Sequence, residues 1–147
     1  MNLVVDTNII FSAIISDKGK IGELLLNKPF DLNFFSPTFL LDELDNHSKR
    51  ILSITKYSEE EYLQIKSFVT KNIEFIDPDN VSKNDWEKSY ELTEDVDEDD
   101  ASFVALSLQT NALLWTGDKK LIKGLKTKHF DNIITTDMLY TKYFGSR

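Results

Sequence analysis

The residues of this chain that could do chemistry are acids, and their densest group is DVDEDD at residues 95–100. Glu91 and Glu94 stand just before it. Like charges this close repel one another, so the segment needs either a cation or free access to water. It could be a metal site, a solvated acidic loop, or a loop that contains one functional carboxylate.

An EF-hand calcium loop is the first metal site to test, because D-x-D-x-D spacing begins at Asp95. That loop requires Gly at its sixth position and Glu at its twelfth. This sequence has Asp100 and Leu106 there, which excludes it. Asp100 still differs from its neighbours, because an apolar helix continues directly from it with Phe103 and Val104 on the same face. We expect Asp100 to point inward at the N-terminus of that helix, where an anion is favoured.

The other acids of the segment have weaker claims to a site. Asp95 and Asp99 are expected to belong to an exposed loop. Asp97 and Glu98 fit a solvated loop and a supporting role near Asp100 about equally well.

Two further acids come just after apolar segments that are typical of strands. Asp6 follows LVV directly, and Asp118 comes two residues after Thr116 in LLWTGD. Either could simply cap the following helix. Alternatively, both carboxylates project from the edge of a sheet into a functional site.

Glu43 is unusual because a helix predicted over residues 37–55 places it in the apolar half. With about 100° between successive residues, one stripe contains Leu40, Leu44, Ile51 and Ile54. Glu43 and His47 fall in that same half, whereas the opposite side carries Asp42, Asp45 and Lys49. A buried Glu is costly unless it is paired or bound to a metal. Its ordinary partner would be Arg50 or His47, and His47 is expected to be structural rather than a ligand.

Alternating strands and helices must position these acids. Short apolar segments predict strands over residues 2–6, 32–36, 73–76, 113–116 and 132–135. After the first strand the sequence predicts two short helices, separated near residues 17–19. Further helices are predicted over 37–55, from 59, from 83 to about 94, from 100, over 119–125 and over 137–143. Their start signals include a Ser36-Pro37 cap and capping boxes at Ser58 and Ser82. This order implies right-handed crossovers and a parallel sheet covered on both faces.

In such sheets, ligands bind beyond the carboxyl ends of the strands, where strand order reverses. Four acids from four separate elements can meet there: Asp6, Glu43, Asp100 and Asp118. Divalent cations would relieve their repulsion, and all-oxygen ligands favour Mg²⁺ or Mn²⁺. Two such ions can activate water and stabilise the leaving oxygen in phosphoryl displacement.

Composition sets the limits of this hypothesis. The 147 residues, 41% of them apolar, predict one domain over residues 1–147. Without Cys there is no thiol catalysis or thiolate metal site. No apolar run approaches the ~20 residues that span a bilayer, and no signal peptide is recognisable, so we expect a cytoplasmic protein. The net charge of −8 opposes broad attraction to nucleic acid, although bound metal ions could bridge to a polyanion.

Four segments, in this order and spacing, resemble the PIN domain family: VVDTNIIFSAII, SPTFLLDEL, DEDDASFVALSL and LLWTGDKKLIKGL. The resemblance covers nearly the whole chain. It implies a three-layer α/β/α sandwich with a five-stranded parallel sheet in the order 3-2-1-4-5. It also implies a metal-dependent ribonuclease, as in the toxins of many toxin–antitoxin pairs.

The motifs carry the family's site residues onto this chain. By this resemblance the catalytic metal ligands are Asp6, Glu43, Asp100 and Asp118. Asn8 and Thr116 match supporting residues, and Asp97 or Glu98 could assist. Lys119, Lys120 and Lys123 could hold substrate phosphates, although a solvated helix face explains them equally well.

The implied reaction is endonucleolytic hydrolysis of RNA by metal-activated water, which leaves a 5′-phosphate. An antitoxin protein and a second copy of the chain are possible partners. The main alternative is a catalytically silent PIN-like binding or scaffold module. An aspartyl-phosphate phosphatase fits poorly, because Asn8 stands where a second Asp is required, and a response-regulator receiver domain lacks its paired acids and phospho-accepting Asp.

Overall fold

The structure is a computed structural model that describes residues 1–16, 18–97 and 100–145. Five strands form one sheet, namely β1 (Asn2–Val5), β2 (Asn33–Pro37), β3 (Ile73–Ile76), β4 (Leu113–Trp115) and β5 (Ile133–Ile134). The α-helices are α1 (Thr7–Ile15), α2 (Lys20–Leu26), α3 (Phe39–Asn46), α4 (Ser48–Ile54), α5 (Glu59–Thr70), α6 (Lys83–Thr93), α7 (Ala101–Thr110), α8 (Lys119–Thr127) and α9 (Thr136–Phe144). A short 3₁₀ helix spans Pro78–Asn80.

The sheet is parallel throughout, with the strand order β3-β2-β1-β4-β5 that the resemblance to the PIN domain family implied. The chain moves outward from β1 to β3 and then returns to β4 on the other side of β1. Because crossovers are right-handed, this reversal places the two sets of connecting helices on opposite faces. The result is the expected three-layer α/β/α sandwich.

Contacts between the helices follow this division. Helix α1 contacts α2, α3 and α5, and α2 contacts α9. Helix α7 packs on β1, β2 and β4, while α6 contacts α7 and α8. The central strand β1 is therefore covered on both sides, and Leu3, Val4 and Val5 are fully buried.

Strand order reverses between β1 and β4, and this places two chain segments side by side. Val5 pairs with Trp115 in the parallel register. The backbone N–H of Asp6 then donates to Trp115 O over 3.1 Å, so the pairing continues one residue past β1. Asp6 and Thr116 consequently leave the sheet as neighbours at its carboxyl edge.

The predicted helix start at Ser36-Pro37 is wrong, because both residues belong to β2. Ser36 does not cap a helix, since its hydroxyl is buried and donates to Val5 O over 2.6 Å. Pro37 has no N–H to donate, but Thr38 N donates to Ile76 O over 3.1 Å and continues the ladder beyond it. Strand β2 therefore runs to Pro37, and the helix begins at Phe39.

The single helix predicted over 37–55 is in fact two helices, α3 and α4, which meet at His47. In an unbroken helix, Leu44 O would accept from the N–H of Ser48. Here Tyr62 Oη donates to Leu44 O over 3.3 Å instead, and Ser48 Oγ donates to Asp45 O over 2.9 Å. Because side chains satisfy these carbonyls, the chain can turn at His47 (φ −100°, ψ 7°).

The predicted helix starts at Ser58 and Ser82 are confirmed. The capping box at Ser58 is complete: Ser58 Oγ accepts from Glu61 N, and the Glu61 side chain accepts from Ser58 N. At Ser82 the side chain accepts from Asp85 N, which is one half of the predicted box. Every helix in the described residues is too short or too polar to cross a lipid bilayer.

Candidate metal centre

Asp6 follows β1 directly and is the N-cap residue of α1. Only 4% of it is exposed, because central strand and helix meet over it. Thr116 Oγ1 donates to Asp6 Oδ2 over 2.7 Å. Burial raises the pKa of Asp6 above its ordinary value, against the lowering effect of Thr116 and of the backbone amides of Thr7 and Asn8. The nearby Asp118 carboxylate raises this pKa further, so a cation here would offset a real electrostatic cost.

Asp118 is fixed through the same threonine. Its backbone N–H donates to Thr116 Oγ1 over 3.1 Å, so one hydroxyl joins two acids from adjacent strands. Asp118 Oδ1 caps α8 by accepting from the N–H groups of Lys120 and Leu121, both over 3.1 Å. The capping role considered for Asp118 is therefore present, and it aims the carboxylate rather than removing it from the site.

Glu43 comes from α3, on the other wall of the site. It is half-buried, with the fully buried Leu40 and Leu44 on the same helix. Among the described residues, no salt bridge joins Glu43 to Arg50 or to His47. The predicted stripe is right for Ile51, which is buried, and wrong for Ile54, which is 55% exposed because the break at His47 turns α4.

Asp100 is the N-cap residue of α7 and is half-buried, as expected from the apolar helix that follows it. Phe103 and Val104 on that helix are buried. The backbone N–H of Asp100 donates to Asp97 O over 3.1 Å, which ties these two acids into one turn. Glu98 and Asp99, also considered from the sequence, lie outside the described residues.

Lys128 of the segment after α8 binds the acidic segment on the side away from the cleft. Lys128 Nζ lies 3.0 Å from Asp95 Oδ2 and donates to Glu91 O over 2.8 Å. Asp95 therefore serves an ion pair on the surface and is not part of the site. Val96 packs partly buried against Gly124 of α8, where an added Cβ would overlap its Cγ2 atom.

A cleft of about 340 Å³ brings the predicted ligands together. It lies at the strand-order reversal, and its lining residues are Asp6, Thr7, Asn8, Phe39, Glu43, His47, Asp97, Asp100, Phe103 and Asp118. The cleft thus contains all four predicted ligands and two of the supporting residues, Asn8 and Asp97. Thr116 stands directly behind it.

Comparison with known proteins agrees with this geometry. A family model described as PIN domain matches residues 4–137. The chain belongs to the PIN domain family. Members of this family are generally nucleases.

A solved structure resembles the chain over most of its length. It is described as the crystal structure of VapBC2 from Rickettsia felis bound to a DNA fragment from their promoter. The TM-score is 0.67, the identity is 18%, and the match covers 92% of this chain and 97% of that chain. This likeness shows a shared fold. No curated protein matches the chain.

The cleft of this PIN domain offers the oxygen ligands that a hard divalent cation prefers, but its described side chains stand too far apart to coordinate one ion. The cleft offers carboxylate oxygens, and Thr7 Oγ1 in its wall is buried without a hydrogen-bond partner among the described residues. However, in residues 1–16, 18–97 and 100–145, no three acid or histidine side chains are already gathered around one ion position. The donor set suits Mg²⁺ or Mn²⁺, and binding would require these side chains to close on the ion.

The three lysines considered for substrate phosphates do not line the cleft. Lys119, Lys120 and Lys123 are exposed on α8, beyond the cap that Asp118 provides. They lie near the site in sequence, but the structure places them on an outer helix face. Their exposure fits a solvated face, and their role in holding substrate phosphates stays a prediction.

The sequence reasoning did not identify the aromatic wall of the cleft. Phe39 and Phe103 pack edge to face, with ring centroids 6.0 Å apart, between the helices that carry Glu43 and Asp100. Thr7 was also missed, although it follows Asp6 directly. The available signal for Phe39 was its place four residues before Glu43, one helical turn away.

Proposed function

We propose that this PIN domain is a divalent-metal-dependent endoribonuclease that hydrolyses phosphodiester bonds of RNA. The observation that carries this proposal is the convergence of four carboxylates from four chain elements on one cleft. Such a cleft is costly to fold unless it serves a cationic ligand. Family membership supports a nuclease, and the carboxylate set supports metal-assisted hydrolysis.

Asp6, Glu43, Asp100 and Asp118 would hold the metal, either Mg²⁺ or Mn²⁺. When bound, the metal supplies a water of lowered pKa and charge stabilisation for the phosphoryl transfer. Asn8 and Asp97 stand beside these ligands in the cleft, and Asn8 can hold a ligand or substrate oxygen through its amide.

The chain itself supplies orientation. The Thr116 hydroxyl donates to Asp6 and accepts from the amide of Asp118, so both carboxylates keep a fixed separation on adjacent strands. Phe39 and Phe103 limit access of water on one side of the cleft.

We further propose that the protein is the toxin of a toxin–antitoxin pair and acts in the cytoplasm. The similar Rickettsia felis structure is described as VapBC2, and the match extends over nearly its entire chain. An antitoxin protein is the partner that this role requires, and a homodimer is the assembly that we expect. Coexpression with the product of an adjacent short gene, followed by growth assay and mass measurement of the complex, tests both expectations.

Cleavage of single-stranded RNA by the purified protein tests the enzymatic proposal. We expect cleavage with Mg²⁺ or Mn²⁺ and none with EDTA. Asp6→Asn and Glu43→Gln should reduce the rate by at least about 10-fold, because loss of a group that merely supports a metal ligand already costs about 10- to 100-fold. Asp42→Asn is the matched control, because Asp42 lies exposed on the same helix as Glu43 and carries the same charge.

A catalytically silent binding module is the second candidate. It is favoured by one observation, that the described acids are not gathered around one ion position. Inertness of the wild-type protein on varied RNAs with both metals would support this module and reject the nuclease.

A further inference from the structure

A second cavity adjoins the carboxylate cleft. We call it the flanking groove. It has a volume of about 430 Å³ and lies between α1 and the pair α3 and α4. The two cavities share Asn8, Glu43 and His47 in their walls, so whatever occupies the groove also touches the edge of the cleft.

The flanking groove has an aromatic floor. The rings of Phe11 and His47 pack edge to face with centroids 5.4 Å apart, and both residues line the groove. His47 stands at the junction, since it also lines the cleft. Ile15 and Ile54, which are 40% and 55% exposed, add an apolar rim. Flat apolar groups suit such a surface.

Arg50 gives the groove a positive charge, whereas the Glu43 carboxylate, which the groove shares with the cleft, gives it a negative one. Among the described residues that line either cavity, Arg50 alone is a lysine or arginine, while the cleft itself is acidic. Arg50 is exposed and forms no salt bridge with a described residue. In a chain of net charge −8, this fixed positive charge beside the cleft points to an anionic ligand.

We propose that the flanking groove binds the nucleotide next to the cleaved phosphodiester, with its base against Phe11 and His47 and its phosphate at Arg50. This inference rests on the proposed ribonuclease function and specifies its substrate. A ligand with one flat apolar face and one negative charge matches both features of the groove. Stacking on side chains requires an unpaired base, so the substrate is single-stranded RNA at this position.

Kinetics on a short single-stranded RNA test the proposal. Loss of base stacking typically costs about 5- to 150-fold in affinity. Phe11→Leu keeps an apolar side chain, so we expect KM to rise about 5-fold or more while kcat changes little. Arg50→Gln should raise KM similarly. It should also flatten the dependence of log KM on log salt concentration by about 0.7, the slope that one phosphate of a single strand contributes. Annealing a complementary strand should suppress cleavage.

Lys49→Gln is the matched control for Arg50→Gln. Lys49 is exposed on the same helix, lines neither the cleft nor the flanking groove, and carries the same charge. It should keep wild-type KM and salt dependence. A substrate with an abasic site beside the cleaved bond provides a second test that leaves the protein unchanged. Its KM should be raised for the wild-type protein but not raised further by Phe11→Leu.

The possible results distinguish failure of the groove proposal from failure of the proposed ribonuclease function. If the wild-type protein cleaves RNA but Phe11→Leu and Arg50→Gln both keep its KM, the groove inference is overturned and the nuclease stands. The groove would then be a binding site for a protein segment instead of a nucleotide. If the wild-type protein cleaves no RNA, the proposed function fails, and this inference fails with it.

Discussion

Replacing Asp6 with asparagine should stabilise the protein while removing its activity. The substitution keeps the shape of the side chain and an oxygen that can accept from Thr116 Oγ1, now 2.7 Å from Asp6 Oδ2. It removes a negative charge from a residue that is 4% exposed. Because burial already raises the pKa of Asp6, the charged form is disfavoured in the folded protein relative to the unfolded chain.

The expected gain follows from two opposing contributions. Burying an ion costs several kcal/mol, and charge-assisted hydrogen bonds return much of that cost at about 1.5–3 kcal/mol each. Because burial raises the pKa of Asp6 despite these hydrogen bonds, we expect Asp6→Asn to gain on the order of 1–2 kcal/mol without metal. For a chain of this size, that corresponds to roughly 2–8 °C in Tm.

The pH dependence gives the sign of the effect. An aspartate in the unfolded chain has a pKa of about 3.9, and the folded pKa of Asp6 lies above its ordinary value. Between these values the folded state binds more protons, so wild-type stability falls as pH rises through the folded pKa. The advantage of Asp6→Asn should therefore be absent below the unfolded pKa and complete above the folded one.

Thermal and urea unfolding in EDTA, from acid to neutral pH, measure this difference. Asp42→Asn is the control, because it removes an exposed charge and should show no such pH-dependent advantage. Adding Mg²⁺ should then raise the Tm of the wild-type protein and not that of Asp6→Asn. A variant that is less stable than wild type at neutral pH, or an advantage that does not change with pH, would refute the reasoning.

Substitutions at Thr116, Asp118 and Gly124 test how the site and the helix beside it are held. Thr116→Val should cost about 1–3 kcal/mol in unfolding free energy, because it orphans the Asp118 amide and removes a donor to Asp6; Thr116→Ser should restore stability and cleavage. Asp118→Ala should lose about 1 kcal/mol through the cap on α8, whereas Asp118→Asn should keep most of it, yet neither should cleave RNA. Gly124→Ala should lower stability by about 1–3 kcal/mol although alanine favours helices, because its Cβ would displace Val96; Gly19→Ala, which meets open space, is the control in unfolding and cleavage assays.

Sequence patterns predicted the sheet and the carboxylate positions because these depend on local signals. Buried strands such as LVV and LLW are short apolar runs, and parallel topology follows from their alternation with helices. Once the strand order is known, acids that follow β1 and β4 must meet. The positions of Asp6 and Asp118 could therefore be predicted without long-range information beyond the strand order.

The errors came from side chains whose partners are distant in sequence. Ser36 carries the signature of a helix cap, yet its hydroxyl binds Val5 O, 31 residues away. The break at His47 depends on the Tyr62 hydroxyl, 18 residues after the carbonyl that it binds. Local sequence patterns do not reveal such distant pairs. The flanking groove was not predicted either, because it depends on the turn between α3 and α4 that the break at His47 creates.

The hydrogen bond from Thr116 to Asp6 spans 110 positions of the chain. On a ribosome that adds roughly 5–20 residues per second, Asp6 therefore waits at least several seconds before its partner is made. A chain that stops before residue 113 has no β4, no Thr116 and no Asp118, although it already holds Asp6, Glu43 and Asp100. Fragments that end before residue 113 therefore lack the assembled cleft.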